Sequence, residues 1–117
     1  VSDSDLVLYV YWEKTLLDLL ERTEKFPKSV RHTLSVRIEN LALDIAELVV
    51  RARWSKGQAR SERLHEADER LTRLRLLLRI AHARRLLSPS AYAFVSERID
   101  EAGRMLGAWK QHTLGRS

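Results

Sequence analysis

Arginine is the residue whose placement in this chain carries the most chemistry. Between positions 70 and 87 stand Arg70, Arg73, Arg75, Arg79, Arg84 and Arg85, with no Asp or Glu among them. A guanidinium presents a rigid fork of donors that matches phosphate and carboxylate oxygens, so such a run suits contact with a nucleic-acid backbone without reading its bases. Arg51, Arg53, Lys56, Arg60 and Arg63 add positive charge just upstream. The same groups would also serve as a solvated helix surface, their alkyl stems covering apolar flanks. Trp12, Trp54 and Trp109 are the side chains broad enough to stack on bases. Trp54, in a break among basic residues, is the best stacking candidate, although packing is the stronger expectation for all three.

Other reactive constellations are sparse. The histidines are His32, His65, His82 and His112, and only His65 has metal-capable neighbours, in Glu66, Asp68 and Glu69. His65 and Glu69 are four apart and meet on one helix face. A di-metal bundle site needs paired Glu-x-x-His motifs on two helices, and no such pair is present. A solvated helix face is therefore the expectation, with no metal and no cofactor. Glu13 falls inside an apolar stripe and is expected to form a salt bridge with Arg37 or Arg104. Glycine-rich phosphate loops, His-Glu-x-x-His and Gly-x-Ser-x-Gly are absent. These residues make no case for an enzyme.

The elements that position the arginines are helices. With 117 residues, four Gly and two Pro, the chain has room for one four-helix domain spanning 1–117 and few turns. A first segment, about 5–25, carries Leu6, Tyr9, Glu13, Leu16 and Leu20 at three-and-four spacing, widened by Val10, Trp12 and Leu17. Ser4 or Asp5 would cap it. Phe26-Pro27-Lys28 interrupts the pattern, because proline lacks an N–H and disfavours helix in the residue before it. The second segment, about 29–53, carries Leu34, Ile38, Leu41, Ile45 and Leu48, with Ala42 and Val49 alongside. Trp54-Ser55-Lys56-Gly57 ends it. The third, about 58–87, has Leu64, Ala67, Leu71, Leu74, Leu78 and Ala81 as its core stripe. Leu76, Ile80, Ala83 and Leu87 fall on another side and are candidates for an oligomer interface. Ser88-Pro89 opens a fourth segment, about 89–112, with Tyr92, Val95, Ile99, Ala102, Leu106 and Trp109 in register. The expected fold is all-α, an antiparallel up-down four-helix bundle.

A net charge of +5 and a pI near 10.0 are compatible with a nucleic-acid partner but do not require one. Without cysteine there are no disulfides or thiolate sites. No secretory pattern or membrane-length apolar run is visible, so no membrane partner and a cytoplasmic location are expected.

Several of these segments together resemble a known family. Phe26-Pro27-Lys28, the run Arg37-Ile38-Glu39-Asn40-Leu41-Ala42-Leu43-Asp44-Ile45, the leucine-arginine third segment and Gly103-Arg104-Met105-Leu106-Gly107-Ala108-Trp109-Lys110 are similar to the accessory variability determinant proteins of diversity-generating retroelements. The wider four-helix family includes proteins encoded by intervening sequences in 23S ribosomal RNA genes. The resemblance implies a non-enzymatic protein that binds a retroelement reverse transcriptase and its template RNA, supporting mutagenic homing. It also implies a homo-oligomer, a pentameric ring. From their charge, and with no role carried over from a relative, Arg73, Arg75, Arg79, Arg84 and Arg85 are the candidates for polymerase or RNA contact, and Phe26, Pro27, Gly103, Met105, Gly107 and Trp109 are expected to form a packing motif. An intervening-sequence protein without a reverse transcriptase, and an adaptor that never touches nucleic acid, are the alternatives.

Overall fold

The computed structural model describes the backbone of residues 2–115 and the side chains of residues 5–114. It is all-helical, with no strand among the described residues: α1 (Ser2–Glu24), α2 (Val36–Arg53), α3 (Gly57–Ala83) and α4 (Pro89–Gly115). Each helix packs on the next, and α4 closes against α1. Along every seam the contacting residues run in opposite numerical order. Asp44 meets Arg70 where Ala52 meets Arg60, and His65 meets Lys110 where Arg75 meets Asp100. The result is a rod about 47 Å long.

α3 and α4 bury the stripes their spacing predicts. Leu64, Ala67, Leu71, Leu74, Leu78 and Ala81 are all buried, as are Val95, Ile99, Ala102, Leu106 and Trp109. Tyr92 is half-buried, its ring stacked on His82 with centroids 4.5 Å apart. α4 begins where Ser88 accepts a hydrogen bond from the backbone N–H of Ala91 at 3.1 Å, the N-cap expected ahead of Pro89.

α1 turns a different face inward than its spacing suggests. Asp5, Leu8, Trp12, Thr15, Leu19 and Thr23 are buried, while Leu6, Val10, Glu13 and Leu17 are exposed. Residues 6–12 are apolar on every side, so two stripes compete. The winner contains Trp12, whose indole N–H donates to the Ala42 carbonyl at 2.9 Å, fixing the rotation of α1 on α2. The two threonines lose little by burial, because Thr15 donates to the Tyr11 carbonyl and Thr23 to Glu39 at 2.6 Å. Glu13 consequently faces outward, and Arg104 pairs with Glu101 instead. The cap expected at Ser4 lies outside the described side chains; Asp5 sits inside the helix.

The other boundaries also shift. The second segment does not start as α-helix at 29. Phe26 and Val30 are buried around an exposed Pro27, followed by a 3-10 turn (Lys28–Val30) and a π turn (Arg31–Ser35) before α2 proper. In α2, Ile38, Ala42, Ile45, Leu48, Val49 and Ala52 are buried, whereas Leu34 and Leu41 are only partly so. The third segment stops at Ala83, not 87. There the Leu86 N–H reaches the Ala81 carbonyl (2.8 Å) and the Arg85 N–H the His82 carbonyl (2.9 Å), a Schellman ending with Arg85 at φ 63 in the place glycine usually takes. The chain reverses there and drives Leu87 into the core.

Candidate nucleic-acid interface

The arginine run of α3 divides in two once neighbouring helices are in place. Arg70 lies 3.6 Å from Asp44 and 4.0 Å from Glu69; Arg73 lies 3.5 Å from Glu69; Arg75 lies 3.3 Å from Asp100. Acids absent from the run itself are thus supplied by α2, α4 and the preceding turn of α3. Arg79, Arg84 and Arg85 are exposed and form no ion pair among the described residues. Three of the six charges are compensated, and the other three crowd the C-terminal end of α3.

That end is more basic than the run suggests. Arg22 in the last turn of α1 lies over the Phe94 ring near the start of α4, 5.5 Å from its centroid. The α1–α2 connection therefore sits at the same end of the rod as the α3–α4 turn. It puts Lys25, Lys28 and Arg31, all exposed and outside any ion pair among the described residues, at the same end as Arg84 and Arg85. Sequence reasoning missed these three, since more than fifty positions separate them from Arg84; only the closing of the bundle joins the two groups. These exposed cations share one end of the rod, and a field of uncompensated charge draws polyanions strongly at low salt.

The upstream group has mixed roles at the opposite end. Arg60 donates to the carbonyls of Ala52 (2.9 Å) and Arg53 (3.1 Å), capping α2, and its guanidinium lies 5.5 Å over the Trp109 ring. Arg63 pairs with Glu66, and its Nε is buried without a partner. Arg53 lies 3.7 Å from Asp5. Arg51 and Lys56 are exposed, with no ion pair among the described residues. Trp54 is 80 % exposed, which overturns the expectation that it packs.

Leu76 and Ile80 are exposed (55 % and 39 %), and Ala83 is exposed with them, but Leu87 is buried at 4 %. Leu87 is therefore a core residue, placed there by the reversal at Arg85. Beside Leu76 runs a shallow groove of about 410 Å³ between α2 and α3, lined by Arg37, Asn40, Leu41, Asp44, Arg73 and Leu77. In the packing motif, Phe26 and Trp109 are buried and Met105 packs against the core. A Cβ on Gly103 would lie 3.1 Å from Arg75 Nη2, so glycine lets the α3 arginine approach α4; at Gly107 nothing lies within 4 Å. Pro27 is exposed and acts on the backbone rather than by packing.

Arg98, which the spacing did not single out, is the most engaged cation. It donates to Thr15 Oγ1 at 2.9 Å and the Tyr11 carbonyl at 3.1 Å, with its guanidinium 3.9 Å over the Tyr11 ring. It clamps α4 to α1 and is not free for a ligand. A hydrogen bond to Glu101 raises the Arg104 guanidinium above its ordinary value, so its charge is not a pH switch. His65 Nδ1 lies 3.3 Å from Lys110 Nζ, and no group of three or more His, Asp or Glu side chains able to hold a metal occurs among the described residues. None of the described helices is long and apolar enough to cross a membrane.

A family model described as bAvd-like matches residues 7–113, nearly the whole chain. No curated protein and no solved structure matches it.

Proposed function

We propose that this chain, which belongs to the bAvd-like family of accessory variability determinants, is a non-enzymatic retroelement accessory protein that binds a reverse transcriptase and its template RNA. The family supports an accessory role in a retroelement. The observation that carries the RNA reading is the end of the rod where Arg79, Arg84 and Arg85, without an ion pair among the described residues, share the end with the connection bearing Lys25, Lys28 and Arg31. Long-range attraction of a phosphate backbone needs such uncompensated charge and no base-specific geometry. The opposed contact order along each seam supports an up-down antiparallel bundle, and the exposed Leu76, Ile80 and Ala83 face supports assembly into a ring, a homopentamer in our reading. The protein would then work in the cytoplasm, where the polymerase copies the template.

Fluorescence anisotropy with structured RNA and duplex DNA across a salt series tests the RNA contact, and co-elution with the retroelement reverse transcriptase tests the partnership. We expect binding at low salt that weakens steeply as salt rises. No binding at low salt, alone or with the polymerase, removes the nucleic-acid reading. A second reading, an adaptor that joins proteins only, is favoured by the same apolar face, and it survives if the polymerase co-elutes without RNA. A third, an intervening-sequence protein, predicts a gene with no neighbouring reverse transcriptase or near-repeat template.

A further inference from the structure

At the end of the rod away from Arg84 and Arg85, the turn between α2 and α3 carries an indole that the fold does not use. Trp54 is 80 % exposed, whereas Trp12 and Trp109 are 0 % and 4 % exposed. Its backbone, not its ring, serves the fold: the Trp54 N–H donates to the Val50 carbonyl at 3.4 Å as α2 ends. Water therefore bathes the largest apolar side chain available, in a turn where a small polar residue would serve the backbone equally well.

The surroundings of Trp54 are those of a stacking platform. The Arg53 guanidinium lies 5.8 Å from the centre of the indole ring and 3.7 Å from Asp5 Oδ2, so it is held between a carboxylate and the indole. Asp5 is 93 % buried in the wall of a niche of about 110 Å³ that also takes in Tyr9, Val49, Val50, Arg53 and Trp54, and its Oδ1 has no partner. Arg51 and Lys56, on either side of Trp54 in the chain, are exposed and outside any ion pair among the described residues. An open aromatic face between free cations is the arrangement by which single-stranded nucleic acid is held, bases on the ring and phosphates on the charges.

We propose that Trp54 is a stacking station for an unpaired nucleotide, with Arg51 and Lys56 taking the flanking phosphates and Arg53 positioning the indole. The inference rests on the RNA-binding reading and adds to it a second contact and a ligand class, single-stranded nucleic acid in place of duplex. The two basic ends lie on the order of 40 Å apart, the length of α3 at about 1.5 Å per residue. A template with a structured part and a single-stranded part can therefore occupy both.

The buried positions of Trp12 and Trp109 make intrinsic fluorescence a selective probe, because acrylamide reaches Trp54 first. A short single-stranded oligoadenylate is expected to quench Trp54 and shield it from acrylamide, while the same length of duplex leaves it accessible. Trp54→Ala is expected to weaken single-strand binding by about 5- to 150-fold with its salt slope unchanged, and Trp54→Phe to restore part of the loss. The melting curve of Trp54→Ala should overlay that of the unaltered protein, since the ring is not in the core. If Trp54 stays open to acrylamide in the saturated complex, or Trp54→Ala binds as tightly as the unaltered protein, the station is overturned while the phosphate contacts stand. If the unaltered protein binds no nucleic acid at low salt, both fall together.

Discussion

Removing Arg79, Arg84 and Arg85 together should change nucleic-acid binding far more than removing Arg70, Arg73 and Arg75, although each triple alanine variant deletes the same formal charge. The first set has no ion-pair partner among the described residues, whereas each of the second lies within 3.3 to 3.6 Å of an acid. Each phosphate neutralised adds about 0.7 to log–log salt dependence for single strands and about 0.9 for duplex. Three free cations therefore carry about 2 to 2.7 units of slope, which between about 50 and 200 mM salt corresponds to about a 20- to 40-fold difference in affinity. The compensated set brings its acids to any phosphate it meets, so its loss should change the slope by less than about one unit. Fluorescence anisotropy over that salt range, with helicity followed by circular dichroism, measures both variants. Equal slope changes, or a larger one for the Arg70, Arg73 and Arg75 variant, would refute the argument that ion pairing decides which arginines bind.

Two further outcomes follow from the packing. Trp12→Phe keeps most of the buried ring but leaves the Ala42 carbonyl without its indole donor, so urea unfolding should report a loss of about 1–3 kcal/mol; a change below a few tenths would mean that bond does not hold α1 on α2. Ile80→Glu puts a charge on the exposed apolar face of α3 and should lower the molar mass found by light scattering without lowering the stability of the bundle. An unchanged molar mass would remove that face from the assembly.

Legibility in the sequence followed contrast. In α3 the core leucines stand among arginines and acids, so only one apolar set fits a helix seam, and all six of its members are buried. In α1 the residues around Trp12 are apolar all round, and the choice fell to a hydrogen bond with α2 that no spacing reveals. The end of α3 was hidden because its reversal uses arginine at a position where glycine is the readable signal. The basic site was legible as a count of charges and illegible as a place. Arg70 is offset by Asp44 and Arg75 by Asp100, partners 26 and 25 positions away that lateral packing alone selects. Lys25, Lys28 and Arg31 join the site for the same reason in reverse.

Arg85 has a further consequence for how this chain can change over generations. Its backbone stands at φ 63, where an L side chain is disfavoured by about 1 kcal/mol relative to glycine. A single base change turns any arginine codon into a glycine codon, so Arg85→Gly is an accessible step that should raise stability by about that amount while deleting an unpaired cation. Selection for folding alone would favour the step, and selection for holding a polyanion would oppose it. Growing a mixed population of the two under a screen for folded protein, and separately under a screen for retroelement activity, should drive the position in opposite directions. The residue at this corner thus works as a gauge of which pressure the chain is under.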